Sequence, residues 1–143
     1  MEIFTHSEKI RFEHCDPAGI VFYPRYFEML NRVIEDWFDI RLGHNFVEIH
    51  DVMQCAVPTV HIDIDFIALS RHGDILQFYL TPLRLGNASL ALSISGHCGV
   101  QKRLSMTTKL VFLDKKTAKS APWPADIRKE ILNEITISER ADA

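Results

Sequence analysis

Cys15-Asp16-Pro17-Ala18-Gly19-Ile20-Val21-Phe22-Tyr23-Pro24 is the stretch on which the reading of this chain turns. It holds one carboxylate, one tight turn and the start of the longest helical pattern. Pro17 pushes the residue before it out of the helical region, so Asp16 is expected to be extended. Gly19 permits a positive φ and suits a sharp reversal. Pro24 fits the first position of a helix, where its missing N–H is no loss. An acid beside a helix start is chemically suggestive. The carboxylate can attack or deprotonate, and free N–H groups can hold a developing oxyanion.

From Pro24 to about Leu42 the pattern is helical. Phe27, Leu30, Val33, Ile34, Trp37 and Phe38 recur on one stripe, with Arg25, Glu28, Arg32, Glu35 and Asp39 away from it. Such a helix is about 28 Å long, and Gly43 is placed to end it in a left-handed cap. Its broad, aromatic apolar face needs a large partner surface, and a sheet is the natural one.

The flanking segments supply that sheet. Ile3 to Glu13 reads as a first strand, Ile10 and Phe12 alternating with Lys9, Arg11 and Glu13. Residues 44–56 are mixed, a loop with a short helical turn. Strand then follows strand: Val60, Ile62, Ile64 and Phe66 alternate with His61, Asp63 and Asp65, and Leu76, Phe78 and Leu80 with Gln77, Tyr79 and Thr81. Gly86-Asn87 is a hairpin signal. Leu90, Leu92 and Ile94 make the next row, and Leu104, Met106, Thr108, Leu110 and Phe112 the last. Pro82 marks an edge or a bulge, and Gly96 a second irregularity. After Pro122-Trp123-Pro124, Ala125 to Ile135 reads as a short helix and Ser138 to Ala143 as a frayed polar tail. The expectation is one domain over residues 1–143, with its core at about 3–135. Its class is α+β, an antiparallel sheet wrapped around one long central helix. Long edge strands need covering. Pairing with a second copy does this economically, so a homodimer is expected, and whether it assembles further to a homotetramer is left open.

Composition narrows the function. The 143 residues are 47% hydrophobic and 24% charged, with a net charge of −3. That suits a globular domain and argues against a nucleic-acid or anionic-membrane footprint. No apolar run is long enough to span a bilayer, and the N-terminus lacks a signal-peptide core. The three cysteines (Cys15, Cys55 and Cys98) have no metal-site spacing, and the seven histidines are scattered. A reduced, cytoplasmic protein with no metal site is expected.

The run Phe12-Glu13-His14-Cys15-Asp16-Pro17-Ala18-Gly19-Ile20-Val21-Phe22-Tyr23-Pro24-Arg25-Tyr26 resembles the hotdog-fold acyl-CoA thioesterases, most nearly the 4-hydroxybenzoyl-CoA thioesterase type. The order of elements continues the resemblance over roughly residues 8–113. It implies that Asp16 is the catalytic carboxylate, that the Tyr23 backbone N–H polarises the thioester carbonyl, and that Gly19 is the turn between them. It also implies a site shared across a dimer. Pro24 stands where many acyl-CoA thioesterases of this motif have His. Proline there is like the hydroxybenzoyl-type enzymes and tilts the expected substrate toward an aryl-CoA. The resemblance implies no cofactor, since coenzyme A is part of the substrate.

Thioester hydrolysis needs an activated water or a nucleophile, and an oxyanion site. Asp16 can attack the carbonyl to form an anhydride, or act as general base on water. The sequence leaves both open. Coenzyme A carries phosphates, so Arg71, Arg84, Lys102 and Arg103, at strand ends or turns, are candidate contacts. Asn31 and Glu35 lie one turn apart on the helix and could face an acyl pocket, although a solvated face is the simpler reading. Ser89, Ser93 and Ser95 lack a nucleophile elbow. The competing functions are a dehydratase on the same fold, whose paired Asp and His are not found, and a non-catalytic acyl-binding or interaction module.

Overall fold

The computed structural model of the protein describes residues 1–142. Its elements run β1 (Phe4–Lys9), α1 (Pro24–Ile40), β2 (Cys55–Ala56), β3 (Thr59–Phe66), β4 (Ile75–Leu85), β5 (Ser89–Cys98), β6 (Gln101–Val111), β7 (Leu113–Asp114), β8 (Lys119–Ser120) and α2 (Ala125–Asp142). Five strands form one antiparallel sheet in the order β1-β4-β5-β6-β3. Helix α1 buries Tyr26, Met29, Leu30, Val33, Ile34, Trp37 and Phe38. The sheet answers with Leu76, Phe78, Leu80, Leu90, Leu92, Ile94, Leu104, Met106 and Leu110, all buried. The expected sheet around a long helix is therefore the architecture. The helix ends as its sequence predicts: Gly43 takes φ +74°, and the Leu42 and His44 amides donate to the Trp37 and Phe38 carbonyls.

The two expected irregularities are present. The β4–β5 register shifts between Pro82 and Arg84. Pro82 lies past Leu80, the last β4 residue of the β1 register, so its missing N–H interrupts no pairing with β1. The β5–β6 register shifts after Gly96. A Cβ at Gly96 would lie 3.0 Å from Phe78 Cε1 and 3.2 Å from Leu104 Cγ.

Other expectations are corrected. The first strand stops at Lys9, and Phe12–His14 forms a 3-10 turn that leaves Phe12 80% exposed. The β4–β5 tip is centred one residue later than expected, since Gly86 N–H donates to Ser89 O. Residues 48–52 form a π-helical turn, and β2, β7 and β8 make a small second sheet absent from the sequence reading. Helix α2 continues through Ser138 to Asp142, where a frayed tail was expected, while Ala143 lies outside the described residues. The α2 side chain Glu134 is buried and accepts hydrogen bonds from Trp37 Nε1 (2.8 Å) and Arg41 Nη1 (3.1 Å to Oε2).

The apolar row of β3 differs most from expectation. It shares the helix-side face with Leu104, Met106 and Thr108, yet Val60, Ile62 and Phe66 are 56%, 43% and 46% exposed. Strand β3 is the outermost strand on its side of the sheet; Ile64 packs against the core and Phe66 stacks on Tyr26, while Val60 and Ile62 stay largely uncovered. Among the described residues no helix is long and apolar enough to cross a membrane.

Candidate functional site

Asp16 sits in a tight hairpin whose hydrogen bonds follow from its sequence. Gly19 N–H donates to Asp16 O (2.9 Å), and Asp16 N–H donates to Ile20 O (2.9 Å). Pro17 takes the second position of that turn, and Gly19 closes it at φ +80°. The Ala18 N–H donates to Asp16 Oδ1 at 2.9 Å. This orients the half-buried carboxylate and leaves Oδ2 without a partner among the described residues. Cys15 then bridges to Val21, and the chain enters α1.

At the helix start, Arg25 N–H donates to Phe22 O and Tyr26 N–H to Tyr23 O. Pro24 has no N–H to offer. The Tyr23 N–H has no acceptor among the described residues. It is thus an available donor at the positive end of a 17-residue helix.

Asp16 and Tyr23 both line a cavity of about 660 Å³. Its remaining wall is apolar and aromatic, with Phe22, Tyr26 and Phe66 prominent. Tyr26 stacks on Phe66 with ring centroids 5.5 Å apart, and Tyr23 meets Phe66 edge-on at 6.1 Å. Burial pushes the Tyr26 phenol above its ordinary range, against the opposing influence of Ser70. The cavity floor is the segment Ile67–Ser70 that follows β3. Volume and lining suit one small organic group. A carboxylate and a free backbone N–H on residues that line one largely apolar cavity are the groups that attack on a held carbonyl would need.

The other predicted residues scatter. Gly19 shapes the turn, and half-buried Pro24 begins the helix without lining the cavity. Asn31 and Glu35 are exposed along α1, outside the cavity. Arg71 is exposed and directly follows the cavity residue Ser70. Lys102 is exposed at the start of β6. Arg84 opposes Ala91, which opposes Lys109, whereas the cavity end of the sheet is marked by Phe66 opposite Leu104. The structure therefore does not bring Arg84 to the cavity. Arg103 is held by four protein acceptors: Leu69 O (2.8 Å), Ser70 Oγ (3.0 Å), Asp74 Oδ2 (2.9 Å) and Gln101 Oε1 (2.7 Å). Tyr26, Phe66 and the floor segment were missed by sequence reasoning. The apolar run Phe66-Ile67-Ala68-Leu69, which outlasts the strand alternation, was the available signal. Among the described residues no group of three or more His, Cys, Asp or Glu could hold a metal ion.

The family model of the Thioesterase-like superfamily matches residues 10–131. A protein from Crocosphaera subtropica named 1,4-dihydroxy-2-naphthoyl-CoA hydrolase is 27% identical over 88 residues, 62% of this chain and 64% of that protein. The match thus spans less than two thirds of that relative's length. Among solved structures, a 1,4-dihydroxy-2-naphthoyl-CoA thioesterase from Synechocystis superposes with a TM-score of 0.83 at 24% identity, over 91% of this chain and 96% of that one. A Staphylococcus aureus protein solved in complex with CoA superposes with a TM-score of 0.88 at 15% identity, over 94% of this chain and 85% of that one. The fold shared with these structures is the hotdog.

Proposed function

This chain belongs to the Thioesterase-like superfamily, and from that premise we propose that it is an acyl-CoA thioesterase acting on an aryl-CoA. It hydrolyses the thioester to a free acid and coenzyme A, with no cofactor besides the substrate. The observation that carries this reading is that Asp16 and Tyr23, whose N–H has no acceptor among the described residues, line one aromatic-walled cavity. The acyl ring lies among Tyr26, Phe66 and Leu69, with the carbonyl oxygen toward the Tyr23 N–H. Oxygen, from water deprotonated by Asp16 or from Asp16 itself, adds to the carbonyl carbon. The carbon–sulfur bond then breaks, and the thiolate leaves to be protonated in solvent. If Asp16 attacked, water resolves the anhydride and restores the carboxylate. One oxyanion donor contributes about 3–4 kcal/mol in comparable acyl transfer.

The aromatic wall and the relatives' names support a hydroxyaryl group, either one ring as in 4-hydroxybenzoyl-CoA or two as in 1,4-dihydroxy-2-naphthoyl-CoA. Arg71, beside Ser70 at the cavity, and Lys102 are the candidate phosphate contacts. The unpaired edge of β3 and its exposed Val60, Ile62 and Phe66 support a homodimer, with a tetramer as its further assembly.

The test is thiol release from a CoA panel of 4-hydroxybenzoyl, dihydroxynaphthoyl, benzoyl and medium-chain esters. Aryl esters should turn over fastest. Asp16→Asn should lower kcat by about 10²–10⁴-fold in a folded, assembled protein. Wild-type rates in that variant would overturn the role of Asp16. No thiol release from any ester by the wild type would overturn the hydrolase reading in favour of an acyl-binding module.

A further inference from the structure

The segment joining β3 to β4 hangs from a single residue of β6. The Arg103 carbonyl accepts the Ile67 N–H (2.8 Å) and the Ala68 N–H (3.2 Å). Its guanidinium Nη1 donates to Leu69 O, Ser70 Oγ and Asp74 Oδ2. Backbone and side chain together hold every residue of the cavity floor. The far end of the segment is pinned to β1's exit, since Ile10 N–H donates to Asp74 O (2.7 Å) and Gly73 N–H to Ile10 O (2.8 Å).

The hold reaches beyond the floor. Ser70 O accepts the Val21 N–H at 2.9 Å, so the floor is tied to the returning arm of the Asp16 turn. The Ser70 side chain is itself buried, and it lines the same cavity as Tyr26, which stacks on Phe66. One residue thus holds the floor, and through the floor it is tied to the acid-bearing turn. Its charge is matched by Asp74, and its side chain is 11% exposed. A cation so placed has little left to offer a phosphate in solvent. Lysine, a point charge on a flexible stem, could not reproduce this planar set of bonds.

Resting on the thioesterase reading of the cavity, we propose that Arg103 is the positioning residue that sets the width of the acyl cavity, and with it which acyl groups are accepted. It touches no reacting atom. It acts through the Ile67–Ser70 floor, which lines the cavity together with Tyr26 and Phe66. Loosening it weakens ground-state and transition-state binding alike, so the loss falls on KM and on discrimination between ring sizes.

The experiment compares wild type, Arg103→Lys and Arg103→Met in two assays. The first is kcat and KM for thiol release from aryl-CoA esters of one and two rings. The second is hydrogen exchange at the backbone amides of Val21, Ile67 and Ala68, with β5 amides as the reference for an intact fold. Arg103→Met should raise KM by about tenfold for the preferred ester with a smaller fall in kcat, since the floor is also tied to the Asp16 turn, and should bring the one-ring and two-ring esters closer together. Exchange at the three amides should quicken about tenfold while β5 is unaltered. Arg103→Lys should fall between, and it carries the test if Arg103→Met does not fold. A loss confined to kcat, or unchanged KM and ring discrimination, would overturn the proposal. A wild type that releases no thiol would overturn the thioesterase reading alone. The clamp is then decided by exchange, where unaltered rates at Val21, Ile67 and Ala68 would sink it.

Discussion

Among the described residues, Glu134 is the one carboxylate buried in the core. It accepts the indole N–H of Trp37 and the guanidinium of Arg41. Arg41 also donates to Glu2 O at 2.7 Å and lies 5.6 Å over the Phe4 ring. Removing the carboxylate leaves a buried indole donor and a mostly buried cation without their acceptor. Glu134→Ala should therefore destabilise the chain by about 2–4 kcal/mol in urea unfolding, and Glu134→Gln by less, because the amide oxygen still accepts from Trp37. A Glu134→Ala loss below about 0.5 kcal/mol would contradict the packing described. The sequence held no sign of this pair, whose members lie 97 positions apart. A lone Glu in an amphipathic stretch reads as surface. The turn ahead of α1 was legible because two prolines and a glycine leave its backbone few choices, whereas Tyr23 was singled out by the resemblance of that stretch to the hotdog thioesterases.

Among the elements, α2 is fastened at its first turn by His44. The ring bonds Glu48 on the π-helical turn through Nδ1 (2.8 Å) and Asp126 through Nε2 (2.7 Å). Burial of the ring favours its neutral form, but the two carboxylates outweigh it and raise the imidazole above its ordinary range. The sign follows: a raised folded pKa contributes stability that is fully present below the unfolded value of about 6.5 and is lost as pH rises through the folded value. Unfolding free energy should fall on going from about pH 6 to pH 9, and His44→Gln should flatten that fall. A wild-type profile identical to His44→Gln across the range would refute the assignment. Helix α1 was legible from its stripe, its Pro24 start and its Gly43 stop. Strands of two residues, as in β2, β7 and β8, show no period to read. The end of α2 was missed because Ser138 to Asp142 are mostly exposed and polar, so no apolar stripe extends over them.

At the scale of the molecule, the exposed row of β3 is the feature one chain leaves unfinished. A second copy pairing along that edge would cover Val60 and Ile62 and satisfy the free strand edge. Ile62→Lys should shift sedimentation toward a monomer with the fold retained, whereas an unchanged oligomer would place the interface elsewhere. The alternation of β3 was readable, but which strand becomes outermost was not. Strand order depends on pairings such as β3 with β6, between segments far apart in the chain. One further consequence comes from the two ends of α1. Its first turn faces the cavity, and its last turns are locked to α2 through Trp37 and Arg41. The helix is a beam about 25 Å long, bedded on the sheet along its apolar face, with the cavity at one end and the α2 lock at the other. Robustness and selectivity are then adjustable at separate addresses. An engineer can harden the lock without retuning the cavity, and can vary the cavity without undermining the lock.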